Sequence, residues 1–189
     1  MAENRTNPAW HEYDWFETAT LTEVQNCLKA GADVNSHPST SLSPLENAVD
    51  ETPEPKIIRA LLDAGARIPS YALYLAIRRD SHEREILQML IEAGADVNAT
   101  DPDEKSRNPL QIDVGEGKTE LVTMLMKAGA DPFVEDFSRA ETAFDWSRRK
   151  PEVLQAMIDN GLDLDWRDGL TFDSLLHRAV QNYHRPDTA

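Results

Sequence analysis

A short glycine motif recurs at nearly regular intervals along this chain of 189 residues. The segment AGADVN at residues 30–35 is repeated identically at residues 93–98, and weaker copies surround Gly65, Gly129 and Gly161. The glycines of successive copies lie 34, 29, 35 and 32 residues apart, with a mean of about 33. A period of this length is typical of repeat proteins, in which each unit buries its apolar face only against its neighbours.

An amphipathic segment precedes each glycine. Apolar residues fall at positions i, i+3 and i+4 in segments 24–28, 58–62, 87–91, 121–126 and 153–158. This spacing places them on one stripe of a helix. A glycine shortly beyond such a stripe is a common left-handed helix stop, so each segment is predicted to be a helix that ends before its glycine.

A second signature lies upstream in each unit and combines a short polar residue, an apolar pair and a small residue. It reads SPLENA at 43–48, NPLQID at 108–113, TAFDWS at 142–147 and SLLHRA at 174–179, with a degenerate copy, YALYLA, at 71–76. The Ser, Asn or Thr can cap a helix, and two copies place proline at the first helical position. Each unit is therefore predicted to be helix, tight turn, helix and protruding turn.

This double signature resembles the ankyrin-repeat family over about residues 14–182. The resemblance implies an all-α fold, a solenoid of stacked helix-turn-helix units with protruding β-turn fingers. We expect one domain over residues 1–189. Its units are a cap at about 9–35, repeats at 36–68, 69–98, 99–131 and 132–164, and a second cap at 165–186.

The chain also departs from the family pattern. Five residues separate Gly65 from Tyr71, where the family has about eleven, which predicts a notch in the row of fingers. The turn at residues 99–107 is enlarged. Trp15, Phe16 and nearby aromatic residues replace the signature in the first unit, where they are expected to seal the end of the stack.

Composition excludes several classes of function. The net charge of −15 repels phosphate backbones and anionic membrane surfaces, so neither nucleic acid nor membrane is an expected partner. The acidic excess is spread along the chain, which fits either a well-solvated surface or one that attracts a basic protein. A single cysteine excludes an internal disulfide, and no secretory signal or membrane-spanning stretch is visible, so we expect a cytoplasmic protein.

No catalytic motif is present, and the five histidines are scattered. Residues 101–104, DPDE, offer carboxylates for a cation, but an exposed loop without the full metal-loop pattern favours solvent-facing side chains. Cys27 is interpreted as a core residue on the apolar stripe of its helix. We therefore predict a protein without catalytic residues, cofactor or metal, and with no small-molecule substrate.

The remaining candidate for function is the surface made by the fingers and the first helices, which is the usual binding surface of the family. Aromatic residues beside arginines have the composition of binding hot spots, although Phe137 and Trp166 could equally pack on a neighbouring finger. Charges along the first helices alternate in sign from unit to unit, which suggests either a register for one partner or, slightly favoured, mutual neutralisation. The predicted partner-binding residues are Asp101, Asp103, Glu104, Lys105, Arg107, Glu135, Asp136, Phe137, Arg139, Trp166, Arg167, Asp168, Arg78, Arg79, Arg148 and Arg149.

These features predict a non-enzymatic module that binds a partner protein. One role that fits such a module is that of an immunity protein or inhibitor that neutralises a basic enzyme or toxin. One alternative is an adaptor or secreted effector that docks on a host or signalling protein. Two others are an acidic nucleic-acid mimic that inhibits a nucleic-acid enzyme and an enzyme with an unrecognised carboxylate or metal site.

The predicted core can be tested by truncation. Leu45→Ala or Leu110→Ala is expected to lower the free energy of unfolding by roughly 2–5 kcal/mol, because each leaves a cavity in an apolar stripe. Asp103→Ala, on a predicted finger, should cost under about 0.5 kcal/mol in the same chemical denaturation measurement. Unfolding of the Asp103→Ala variant would contradict this assignment of inside and outside.

Overall fold

A computed structural model of the protein describes residues 15–37, 42–52, 54–79, 81–100, 107–135, 141–167 and 174–175. Within these ranges the secondary structure is helical, apart from one isolated antiparallel bridge between Arg167 and Ser174. No helix in the same ranges is both long and apolar enough to cross a membrane. The helices are α1 (Trp15–Thr18), α2 (Leu21–Lys29), α3 (Pro44–Glu51), α4 (Pro55–Asp63), α5 (Ala72–Ile77), α6 (Glu83–Glu92), α7 (Pro109–Glu116), α8 (Thr119–Lys127), α9 (Ala143–Ser147) and α10 (Pro151–Asp159).

The helices form two compact units, residues 1–103 and residues 104–189. In the first unit, α1, α3 and α5 pack in one row and α2, α4 and α6 in a second row, with α3 against α4 and α5 against α6. In the second unit, α7 packs on α8 and α9, and α10 packs on α8 and α9. The predicted order of first helix, turn and second helix is therefore confirmed within each unit.

The predicted caps begin the first helices. Ser43 accepts a hydrogen bond from the backbone N–H of Glu46, whose carboxylate in turn accepts one from the N–H of Ser43. Asn108 and Thr142 form the same reciprocal pair with the residue three positions later. Such a pair satisfies two N–H groups that lack partners inside the helix. Tyr71, in the degenerate copy, makes no side-chain cap at α5.

Glycines end the second helices as predicted. Gly31 and Gly65, just past α2 and α4, both have φ of +86°, and the equivalent glycines past the later second helices share this left-handed conformation. A Cβ at Gly31 or Gly65 would meet no atom within 4 Å, so the requirement for glycine is conformational rather than steric.

The apolar stripes form the core. Leu45 and Leu110 are fully buried, as are Ile57, Ile58 and Met157. Phe16, one of the aromatics assigned to the first cap, is also fully buried and packs edge-on against Trp15 at 4.9 Å between ring centroids. Asp103, which was predicted to be exposed, lies outside the described residues.

Cys27 departs from its assignment to the core, because it is only half-buried at the edge of the α2 stripe. Burial and the nearby charge of Glu23 raise the pKa of the Cys27 thiol. A raised pKa keeps the sulfur protonated at neutral pH, so this thiol lacks the thiolate character of a reactive cysteine.

Two cations bind backbone carbonyls at the C-terminal end of the first helix in the hairpin that precedes their own. We call these contacts the cation caps. Arg79, just after α5, donates from Nη1 to the Val49 carbonyl and from Nη2 to the Thr52 carbonyl, both at 2.6 Å. Lys150, just before α10, donates from Nζ to the Gly115 carbonyl at 2.6 Å. The C-terminal carbonyls of a helix lack partners inside it and carry partial negative charge, so each cation satisfies them across the hairpin interface.

Glu46 links three segments of the first unit. Its carboxylate accepts hydrogen bonds from the N–H of Ser43 and the hydroxyl of Tyr71, and it lies 3.7 Å from Nε2 of His37. Burial raises the pKa of Glu46, but the hydrogen bonds from Ser43 and Tyr71 and the charge of His37 outweigh burial, so the pKa lies below its usual value. The α3–α5 contact is therefore strongest while this carboxylate is ionised.

Removing the Arg79 cap should weaken the first unit. We expect Arg79→Ala to lower the free energy of unfolding by roughly 1.5–3 kcal/mol, because two charge-assisted hydrogen bonds are lost. The free energy of unfolding of Arg79→Lys should lie between those of the parent chain and Arg79→Ala, since one ammonium spans two carbonyls poorly. Arg78→Ala is the matched control: Arg78 is exposed on the Tyr74 ring, and its loss should cost under about 1 kcal/mol. Equal losses in Arg78→Ala and Arg79→Ala would contradict the assigned cap.

The ionised Glu46 predicts a specific pH dependence. Because its pKa is lowered by folding, its contribution to stability is complete above the pKa of the unfolded chain and disappears as pH falls through the folded pKa. In urea titrations between about pH 7 and about pH 3, Glu46→Gln should lose less stability on acidification than the parent chain. Glu152→Gln, at an exposed site in α10, should keep the parental slope. An unchanged slope in Glu46→Gln would show that this carboxylate is not the titrating group.

Candidate protein-binding surface

Four of the five turns that follow the second helices hold an aspartate that fixes its own turn; the turn after Gly65 has Arg67 at this position. The carboxylates of Asp33, Asp96, Asp131 and Asp163 accept the backbone N–H two residues later, at 2.8–3.0 Å. All four side chains belong to exposed residues. We call them the finger aspartates. They were not among the predicted binding residues, although their place in the repeated AGADVN-type motif was a visible signal.

Asn35 ties one turn to the next within the first unit. Its Nδ2 donates to the Gly65 carbonyl at 3.0 Å, and its Oδ1 accepts the Arg67 N–H at 2.7 Å. The side chain therefore satisfies a donor and an acceptor of the neighbouring turn at once.

Half of the predicted binding residues lie outside the part of the chain that the structure describes. These are Asp101, Asp103, Glu104, Lys105, Asp136, Phe137, Arg139 and Asp168.

Trp166 and Arg167 begin the last unit. The Trp166 ring stacks on Phe133 with 4.1 Å between centroids and 10° between planes, and Phe133 also contacts Phe144 at 6.1 Å. Of the two interpretations of Trp166, packing on a neighbouring finger therefore describes the unbound chain. Arg167 is exposed, and its backbone forms the bridge to Ser174.

The predicted arginines of the first helices differ in exposure. Arg78 and Arg149 are exposed, whereas Arg148 is half-buried and lies 3.6 Å from Asp145. Arg79 is directed onto the α3 carbonyls and forms a cation cap, which leaves its guanidinium little capacity for a partner. Arg79, Arg148 and Lys150 therefore have contacts within the protein, whereas Arg78 and Arg149 remain exposed.

Arg107 and Glu135 are both exposed, and Arg107 lies over an aromatic ring that was not predicted as a site. Its guanidinium carbon is 4.5 Å from the centre of the Trp146 ring. Trp146 is half-buried in α9, and its Nε1 donates to Glu141 at 2.8 Å. The signal in the sequence was a tryptophan at the variable fifth position of the TAFDWS signature.

A cleft of about 280 Å³ lies next to the Lys150 cap and is lined by Gly117, Lys150, Pro151, Glu152 and Val153. In the described ranges, no group of three or more His, Cys, Asp or Glu side chains is arranged to hold a metal ion.

The helical hairpins, capped first helices and glycine-ended second helices are matched by a family comparison. A model of ankyrin repeats in three copies matches residues 45–136. This is an ankyrin-repeat protein. Its all-α ankyrin class is thus confirmed, and a comparison with curated proteins finds no match.

Membership of the ankyrin family sets the coarse function. Ankyrin repeats are general protein–protein interaction modules and are typically non-enzymatic. In this ankyrin protein the turns carry the finger aspartates at a repeated position, and the Arg107–Trp146 pair joins a turn residue to a first helix.

Proposed function

We propose that this ankyrin protein binds a partner protein with a basic surface through its fingers and first helices, and that it thereby neutralises a basic enzyme. The observation that carries the proposal is the placement of charge. The four finger aspartates are exposed, whereas the cations Arg79 and Lys150 are half-buried against backbone carbonyls. At this position of the turn the protein therefore exposes four carboxylates, two in each unit, and one cation, Arg67.

The fixed geometry of the fingers supports binding of a folded protein. Each finger aspartate is held by a bond to its own turn, and Asn35 holds two turns together. Side chains that are ordered before association lose little conformational freedom on binding. A preformed acidic surface also raises the rate at which a basic partner is encountered.

The test begins with affinity capture from the cell that produces the protein, followed by rate measurements with the purified partner. A variant with all four finger aspartates changed to asparagine keeps an oxygen acceptor for each turn but loses four negative charges. We expect its association rate constant to fall at least about threefold at low salt, with the difference shrinking as salt is raised.

A matched control removes the same charge elsewhere. Asp63, Glu85, Glu120 and Asp159 are exposed on the second helices, and their amide variants change the net charge equally. We expect a smaller effect on the association rate in this control. An equal effect, an acidic captured partner, or association that is independent of salt would contradict the proposal. Displacement of the partner by DNA would instead favour the nucleic-acid mimic.

A further inference from the structure

The indole ring of Trp146 rests directly on the backbone of α7. A Cβ built at Gly115 would come within 2.9 Å of Cζ3 and 3.0 Å of Cε3 of this ring. The absence of a side chain at Gly115 therefore lets the Cζ3–Cε3 edge of the ring approach α7 closely.

The edge of the ring is fixed by a carboxylate. Nε1 of Trp146 donates to Oε2 of Glu141 at 2.8 Å, and Gln111 in turn donates to the backbone carbonyl of Glu141 at 3.1 Å. Gln111 is fully buried and belongs to the reciprocal cap of α7. The ring and its carboxylate are thus held by well-packed residues, and in the described part of the chain Oε1 of Glu141 makes no hydrogen bond.

Arg107 lies over a face of the ring, with its guanidinium carbon 4.5 Å from the ring centre. This arginine is exposed and immediately precedes the cap residue Asn108. A guanidinium is planar and weakly hydrated, and it is attracted to the negative face of an indole, but at an exposed site this attraction is small. The contact therefore shows that the ring accepts a guanidinium. Because the attraction is small, Arg107 is easy to displace.

We propose that Trp146 and Glu141 form a receptor for an arginine side chain of the partner, and that Arg107 occupies this receptor in the unbound protein. The inference rests on the proposed function, because it assigns the anchor of the basic partner. An incoming arginine stacks on the ring face that Arg107 leaves and donates to Oε1 of Glu141. A charge-assisted hydrogen bond of this kind is stronger than one between neutral groups, which favours the partner over Arg107.

The receptor is tested without the partner. The indole N–H signals of the full-length protein are followed by NMR during titration with tetra-arginine amide, and Trp146→Phe identifies the signal of interest among the four tryptophans. The Trp146 signal should move while that of Trp15 stays. Tetra-lysine amide should require at least about threefold more peptide, because an ammonium stacks less well on the ring.

Charge-matched variants isolate the two residues. Arg107→Ala should lower the midpoint of the titration about threefold relative to Lys127→Ala, which removes the same charge at an exposed site on α8. Glu141→Gln keeps an acceptor for Nε1 and should raise the midpoint about threefold or more relative to Glu152→Gln. Circular dichroism confirms that each variant is folded.

Three results would overturn the receptor: a Trp146 signal that does not respond, equal midpoints for Arg107→Ala and Lys127→Ala, or equal responses to tetra-arginine and tetra-lysine. Because no partner protein is used, these results leave the proposed function intact. If the association-rate test of the finger aspartates fails, the peptide titration can still be interpreted, because it measures binding at Trp146 alone.

Discussion

A hairpin of two short helices has one apolar stripe per helix and cannot bury both stripes within itself. Leu45, Ile58 and Leu110 reach complete burial only because the next hairpin of their unit lies against them. Helices of four to ten residues are also too short to be stable alone in water. Packing between neighbouring hairpins is therefore the interaction on which the helices, their caps and the position of every exposed side chain depend.

The reciprocal caps show how one position serves different contacts in different units. Glu46, Gln111 and Asp145 all accept the N–H of their cap residue. Glu46 also receives the Tyr71 hydroxyl, whereas Gln111 donates to the Val134 and Glu141 carbonyls of a finger base. The Tyr71 contact lies where the finger is shortened: α5 begins seven residues after Gly65, and a side chain replaces part of the missing turn.

The elements set by local sequence were predictable. The caps at Ser43, Asn108 and Thr142 and the left-handed glycines follow from short motifs, because the partners in each case lie within a few residues. The burial of the apolar stripes followed from their helical spacing.

The contacts that define the candidate surface were not predictable in the same way. Arg79 reaches carbonyls 27 and 30 residues away, Lys150 one 35 residues away, and Arg107 lies on a ring 39 residues further along. Such contacts depend on how neighbouring hairpins are placed, and sequence spacing does not fix that. The alternating charges of the first helices suggested that opposite charges neutralise each other. They did not predict that Arg79 binds backbone carbonyls while the adjacent Arg78 is exposed.

The cation caps have a consequence for the modularity of the array. Ankyrin units are commonly treated as interchangeable blocks, yet α3 is finished by an arginine that belongs to the following hairpin, and α7 by a lysine of its successor. In a hairpin that is transplanted or duplicated alone, the C-terminal carbonyls of the first helix would lack the cation that caps them. Its own capping cation would lack the carbonyls of the preceding hairpin. The natural unit of exchange in this chain is thus a pair of adjacent hairpins. The order of the hairpins is specified by their polar contacts as well as by their apolar ones.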